Sequence, residues 1–270
     1  SFIIAEGVVE VTAASTAASP LGQGGTGTYM SNNTKFLVAR TTAGMMSPNG
    51  TLYVADNAQV TLGVTTATVT NRLGEYGYTA GYGQGVTIIK EGDGILKLNQ
   101  TTVGLTNWGI TTANKWLVKG GFLQANSDAS LGNSNNVIAL DGGGLQLITT
   151  LNNTARTVQL SNNAANSINN TDAANYVLSA KITGTGGFTK TGVGTVTIAN
   201  TNDYAGTTTI GEGVLVLTNG KAIADAGVVA LSNVAGATLT VATSETIGSL
   251  QGGGTTGGNV NIASGRTLTV

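Results

Sequence analysis

Lys190-Thr191-Gly192-Val193-Gly194-Thr195-Val196-Thr197-Ile198 repeats the pattern of Lys90-Glu91-Gly92-Asp93-Gly94-Ile95-Leu96-Lys97-Leu98. Each stretch is a Lys, a Gly-x-Gly turn and then a short strand in which polar and apolar residues alternate. One strand-turn unit cannot bury its apolar face alone; copies stacked above and below bury it. The pattern therefore predicts an all-β chain built as a β-solenoid.

Composition points the same way. The 270 residues include 41 Gly and only 2 Pro, with 9% charged and 40% hydrophobic residues, enough apolar side chain to fill one long, thin core. Disordered chains are rich in charge and Pro, whereas Val, Ile and Thr are plentiful here. Surface helices carry Lys, Glu and Arg on their outer face. Here that role falls to Thr, Asn, Ser and Gly, which favour strands and turns, so few or no helices are expected. Net charge is −1, from 12 basic and 13 acidic residues scattered singly. No basic cluster is present to neutralise a row of phosphates, so nucleic acid is not an expected partner. No apolar run is long enough to cross a bilayer as a helix. The chain opens at Ser1 with neither a Met nor a basic leader, as a cleaved signal peptide or trimming would leave it, which favours export.

Three zones follow along the chain. Residues 1–12, Phe2-Ile3-Ile4-Ala5-Glu6-Gly7-Val8-Val9-Glu10-Val11-Thr12 after Ser1, read as an extended, strongly apolar strand. Residues 13–34 are small and include Pro20 and several Gly, as in a flexible linker. Residues 35–270 carry the solenoid pattern. Within it the recurring element is an apolar-polar-apolar triplet: Val60-Thr61-Leu62, Leu96-Lys97-Leu98, Ile138-Ala139-Leu140, Leu145-Gln146-Leu147, Val196-Thr197-Ile198, Leu239-Thr240-Val241, Val260-Asn261-Ile262 and Leu268-Thr269-Val270. Side chains alternate between the faces of a strand, so the outer two residues enter the core and the middle one faces water. Clusters such as Gly132-Asn133-Ser134-Asn135-Asn136 supply corners. At roughly 20 to 25 residues per coil, about a dozen coils are expected.

The segment Gly184-Thr185-Gly186-Gly187-Phe188-Thr189-Lys190 through Ile198, followed by Asn202-Asp203-Tyr204-Ala205-Gly206-Thr207-Thr208-Thr209-Ile210 and Gly213-Val214-Leu215, resembles the passenger-associated repeat of bacterial autotransporters. Glu245-Thr246-Ile247-Gly248-Ser249-Leu250-Gln251-Gly252 resembles the segment that often follows it. The likeness is specific over 184–252 and looser over 86–147, where Asn107-Trp108-Gly109 stands in for Asn202-Asp203-Tyr204. It implies a single-stranded, right-handed parallel β-helix that is secreted through the outer membrane and displayed outside the cell or on its surface. No membrane barrel follows the repeat before Val270; the sequence is either a fragment or uses the repeat without that route. On the residues alone, Val196, Ile198, Leu215 and Leu217 stack in the core, and Gly192, Gly194, Gly211 and Gly213 form corners. Phe188 and Tyr204 read as packing rather than as ligand platforms. Lys90 and Lys190 read as solvated side chains beside turns, because Lys is rarely buried unpaired.

The sequence contains no His and no Cys, which removes Ser-His-Asp, Cys-His and the common zinc arrangements. Some parallel β-helices degrade polysaccharides with clustered carboxylates. Glu91 and Asp93 are the solenoid acids closest in sequence, but at a Gly-rich turn beside Lys90 they read as a solvated corner. Gly22-Gln23-Gly24-Gly25-Thr26-Gly27 fits a phosphate-loop pattern without the helix such a loop needs. No catalytic, cofactor or metal residues are assigned, and an enzyme is not expected. Sequons at Asn32, Asn49, Asn99, Asn152 and Asn169 are compatible with glycosylation.

The ends of a solenoid have unpaired strand edges. Near Val270 only Arg266 is present to guard one, and the apolar strand at the other end is too hydrophobic to remain in water. Phe2, Ile3, Ile4, Val8, Val9 and Val11, with Leu268 and Val270 at the far end, are therefore the candidate assembly residues. They imply self-association by strand addition into a head-to-tail homopolymer, since a heterologous contact that does not close gives a filament. The expected role is a noncatalytic extracellular structural rod, as a surface fibre or layer. The alternative is an adhesive passenger stalk, with a glycan or a host-surface protein held by loops such as 70–85, which carries Tyr76, Tyr78 and Tyr82.

Overall fold

Four-residue runs of Val, Leu, Ile and Thr, set between Gly and Asn corners, form the strands. A computed structural model describes residues 87–98 and 113–270 in full. It gives the backbone of Val8–Val11, Phe36–Leu37, Arg40–Thr41, Met45–Met46, Asn49–Tyr53 and Gln59–Leu62. The chain divides into two units, 1–138 and 139–270. Residues 2–4 and the linker expected at 13–34 lie outside the described residues. So do the tyrosine-bearing stretch 70–85 and the segment 107–109.

In the second unit, six strands stack in parallel as one column: Gly144–Leu147, Ser167–Asn169, Phe188–Thr191, Thr208–Ile210, Val228–Leu231 and Ser249–Gly252. Asn175–Leu178, Thr195–Ile198, Val214–Leu217, Thr238–Val241 and Asn259–Ile262 form a second column. Thr157–Leu160 pairs with Lys181–Gly184, and Glu245–Thr246 with Leu268–Thr269, also in parallel. Every strand pairs with one a full coil away. The offset is 19 residues from Val196 to Leu215 and 24 from Leu215 to Leu239. That is the solenoid the sequence predicts.

Register puts like with like in the core. Val196, Leu215 and Leu239 form one stack, and Ile198, Leu217 and Val241 the next; all six are fully buried. Phe188 and Tyr204 are also buried, their rings edge to face at 5.6 Å, so the packing role assigned to them holds. The expectation that the middle residue of each triplet faces water does not hold throughout, because Ala139, Gln146 and Thr197 are buried. For the two polar ones, hydrogen bonds between coils explain the burial. Gln146 donates to Asn169 (3.2 Å), Asn169 in turn to Thr191 (2.9 Å), and Thr197 donates to Asn175 (2.9 Å). Among the described residues the last strand of the second column has a neighbour on one side only, and Ile262, a predicted core residue, is 48% exposed.

In the first unit, Val8–Val11, Gln59–Leu62, Ile95–Leu98 and Phe122–Ala125 stack in parallel. Asn49–Tyr53, Thr87–Glu91 and Lys115–Val118 form a second parallel set. Ile88, Leu96, Leu98, Trp116, Val118 and Leu123 are buried, and the Trp116 indole donates to the Leu131 carbonyl at 3.2 Å. The coils are longer here: Leu96 pairs with Leu123, 27 residues on, and Val60 with Leu96, 36 residues on. Longer coils mean fewer of them: among the described residues the first unit's column has four strands and the second unit's six, short of the dozen coils expected. Two pairs depart from the parallel pattern, Phe36–Leu37 against Asn49–Tyr53 and Arg40–Thr41 against Met45–Met46, both antiparallel. Three residues separate Thr41 from Met45, too few for the dozen or so that a parallel crossover needs. Among the described residues of this unit, the one helical element is a 3-10 turn, Asp128–Leu131, capped by the Ser127 hydroxyl.

Glycine is required where corners of successive coils touch. Gly213 has φ 65°, and a Cβ there would meet Gly192 O and lie 2.6 Å from Gly194 O. Gly213→Ala should therefore lower the urea midpoint of unfolding, through both φ strain and backbone overlap. Leu215→Ala should cost about 2–5 kcal/mol, as buried Leu truncations do, while the outward Val216→Thr stays within about 0.5 kcal/mol. Chemical denaturation of the three variants checks the order.

Candidate functional site

Lys90 and Lys190 occupy the last inward position of their strands, where a side chain must enter the core. They are 1% and 0% exposed, which corrects the reading of both as solvated. In register, Lys190 lies between Ile168 and Ile210, and Lys90 between Leu52 and Val118. The stem thus takes the place of one apolar rung. The ammonium emerges under the Gly-x-Gly corner, where carbonyl oxygens converge. Lys190 Nζ donates to Thr191 O (3.0 Å), Gly192 O (2.6 Å) and Glu212 O (2.9 Å). Lys90 Nζ donates to Glu91 O (2.9 Å), Gly92 O (2.5 Å) and Gly120 O (2.8 Å). An ammonium has three donors, and each is used. In each case two acceptors come from the lysine's own corner and the third from the corner of the next coil. Burial lowers both ammonium pKa values from 10.5 to about 8, opposed by Glu212 at Lys190 and by Asp93 and Glu91 at Lys90.

The remaining corners are held by buried side-chain amides. Asn136 accepts from Asn114 N (2.9 Å) and donates to Leu131 O (3.1 Å). Asn166 accepts from Gly142 N (2.9 Å) and donates to Ser161 O (2.8 Å). Asn202 accepts from Ile182 N (2.7 Å) and donates to Ala222 O (2.8 Å), which links three coils at one edge. Glu245 continues that edge, its carboxylate accepting from Ile223 N (3.0 Å) and Ala222 N (3.3 Å). Its burial raises its pKa. The Tyr204 hydroxyl shares a hydrogen bond with Thr208 Oγ1 at 2.5 Å, and burial raises its pKa as well. These amides are missed when Asn is read only as a residue of tight corners. A usable signal is present: Asn114, Asn136 and Asn166 each stand immediately before a strand.

Glu91 and Asp93, the acids weighed for catalysis, lie at a surface corner. Asp93 is exposed, and Glu91 lies 4.0 Å from Lys119 at the surface. Asp203 pairs with Lys181 at 2.6 Å, also at the surface. Among the described residues no three His, Cys, Asp or Glu side chains gather as metal ligands would. Of the candidate assembly residues, Val8, Val9 and Val11 lie in the strand paired with Gln59–Leu62 of the same chain. Leu268 pairs with Glu245, and Val270 is 65% exposed. Of the sequon residues, Asn152 is exposed, whereas Asn169 is buried and bonded to Thr191.

Residues 188–217 match the family model of the passenger-associated-transport-repeat. Over 102 residues, 37% of this chain, the sequence is 41% identical to the Adhesin BmaC autotransporter of Brucella suis biovar 1 (strain 1330). The match covers 3% of that relative, so the chain spans a small fraction of its length. No solved structure matches. The matched residues fall within 184–252, where the sequence places the repeat.

The lowered lysine pKa values fix a sign. Between pH 8 and 10.5 the unfolded chain keeps protons that the folded chain has released, so unfolding free energy gains a positive slope with pH. The cost of burying the two charges is therefore fully present below pH 8 and is relieved as pH rises to 10.5. Denaturant titrations across that window should show the slope in the native sequence and a smaller one in a Lys90→Met/Lys190→Met chain.

Proposed function

We propose that this chain is a noncatalytic stretch of an adhesin passenger, exposed outside the cell or on its surface, in which stacked β-coils serve as a stalk. The observation that carries the reading is a coincidence of place. The residues that match the passenger repeat, 188–217, are also those that form complete coils, with strands Phe188–Thr191, Thr195–Ile198, Thr208–Ile210 and Val214–Leu217 stacked on their neighbours. Similarity to a protein named an adhesin supports the adhesive role. The noncatalytic reading is supported by how the buried ionisable groups are spent: Lys90, Lys190 and Glu245 are each bonded to backbone groups that hold coils together. Recognition of a glycan or a host-surface protein is assigned to the sequence stretch 70–85, which carries three tyrosines, a residue type suited to stacking.

A second reading, head-to-tail assembly into a fibre, has an observation of its own. Among the described residues, Asn259–Ile262 pairs on one side only, with Ile262 exposed, and Val8–Val11 stands last in another column. Because Val8–Val11 already pairs within its own chain, such assembly would join strand edges rather than insert a free strand.

Electron microscopy of the purified chain separates the two. The stalk reading expects isolated particles, and long filaments would favour the fibre. If filaments form, deletion of residues 1–12 should abolish them and leave folded, soluble monomers; unimpaired filaments after that deletion would exclude strand-edge assembly through residues 8–11. Beads coated with the chain should adhere to cultured host cells, and a Tyr76→Ala/Tyr78→Ala/Tyr82→Ala chain should adhere less. Equal adhesion by both would remove recognition from that stretch.

A further inference from the structure

The two lysine corners share a geometry that neither the repeat nor the adhesive reading accounts for. At each, three backbone carbonyl oxygens converge on one point within 3.0 Å, and the point is occupied by a positive charge. Carbonyl oxygens arranged so are the ligands that proteins use for bare cations. The third oxygen comes from the following coil, Glu212 O at Lys190 and Gly120 O at Lys90. The same backbone step docks beside it: Gly211 N donates to Lys190 O (2.9 Å) and Lys119 N to Lys90 O (2.8 Å). Two copies, a hundred residues apart in sequence and differing at most surrounding side chains, reproduce the arrangement. The Lys, the two glycines after it and the glycine of the next corner, Gly121 or Gly213, recur.

We propose that the Lys-x-Gly-x-Gly corner is a backbone cation site filled by a tethered ammonium, and that it fastens each such coil to the coil that follows. Until the next corner docks, the ammonium has two of its three acceptors and remains open to water. Docking supplies the third acceptor and closes the site. The class of ligand is therefore a primary ammonium, held by hydrogen bonds in three directions. A sodium ion offers charge without N–H donors and lacks the apolar stem that fills the rung between Ile168 and Ile210.

The test uses the full chain with Lys190→Met and Lys190→Ala. Met fills the apolar rung but leaves the carbonyls without a donor, so its thermal midpoint should fall on the order of 10 °C below that of the native sequence. Ala opens a cavity that leads to the cage, and n-propylammonium chloride should raise its midpoint in a concentration-dependent way. Sodium chloride at equal ionic strength and n-propanol at equal concentration should not. A Lys190→Met chain as stable as the native one would overturn the proposal, as would rescue of Lys190→Ala by all three solutes alike. Should either variant fail to fold, nitrogen-15 spectra of the lysine-labelled native chain decide instead. Two ammonium signals protected from solvent exchange at neutral pH are expected, and their absence would overturn the assignment.

Discussion

A solenoid coil has no stable existence by itself, because each short strand leaves its backbone amides and carbonyls to be satisfied by the coils on either side. Everything else follows from that constraint. Strands of four residues suffice because each partner lies one coil away, whether 19 residues on, as from Thr195 to Val214, or 24, as from Val214 to Thr238. Inward residues must be alike from coil to coil, since each sits directly on the next. The stack of Val196, Leu215 and Leu239 is the result.

Corners are where the constraint is hardest to meet. A chain that turns out of one strand and into the next points carbonyls and amides in directions that no ladder pairs, and close stacking keeps water from reaching them. Three devices meet the need here. Glycines allow corner backbones to touch, as at Gly192 and Gly213. Buried Asn side chains accept from one coil and donate to another, as Asn202 does between Ile182 and Ala222. Lys90 and Lys190 bring three donors each to corners rich in acceptors. Glu245 supplies the opposite need, receiving two amides where Asn202 could have received one.

Much of the ladder was legible because alternation of apolar and polar residues leaves a direct mark on sequence; Val196, Ile198, Leu215 and Leu217 could be placed in the core from it. The lysines could not. Their type predicts exposure, and the property that overrides it, convergence of carbonyls from two coils, belongs to the backbone and leaves no trace beyond the spacing of glycines. Coil length was legible around 184–252, where the repeat is regular, but not before Phe122, where long connections between strands hide the period. The partner of Val8–Val11, Gln59–Leu62, is non-local, and no local pattern announces such a pairing.

Register is the claim on which this account stands, and a chain without cysteine allows it to be read covalently. Thr195 and Val214 are in-register neighbours on adjacent strands, about 4.8 Å apart and within the 4.4–6.8 Å range over which a disulfide closes. In a Thr195→Cys/Val214→Cys chain, mild oxidation should form an intramolecular disulfide efficiently. The same treatment of Thr195→Cys/Val216→Cys, two residues out of register, should not. Equal yields from the two pairs, or a bond in the second alone, would contradict the stacking described.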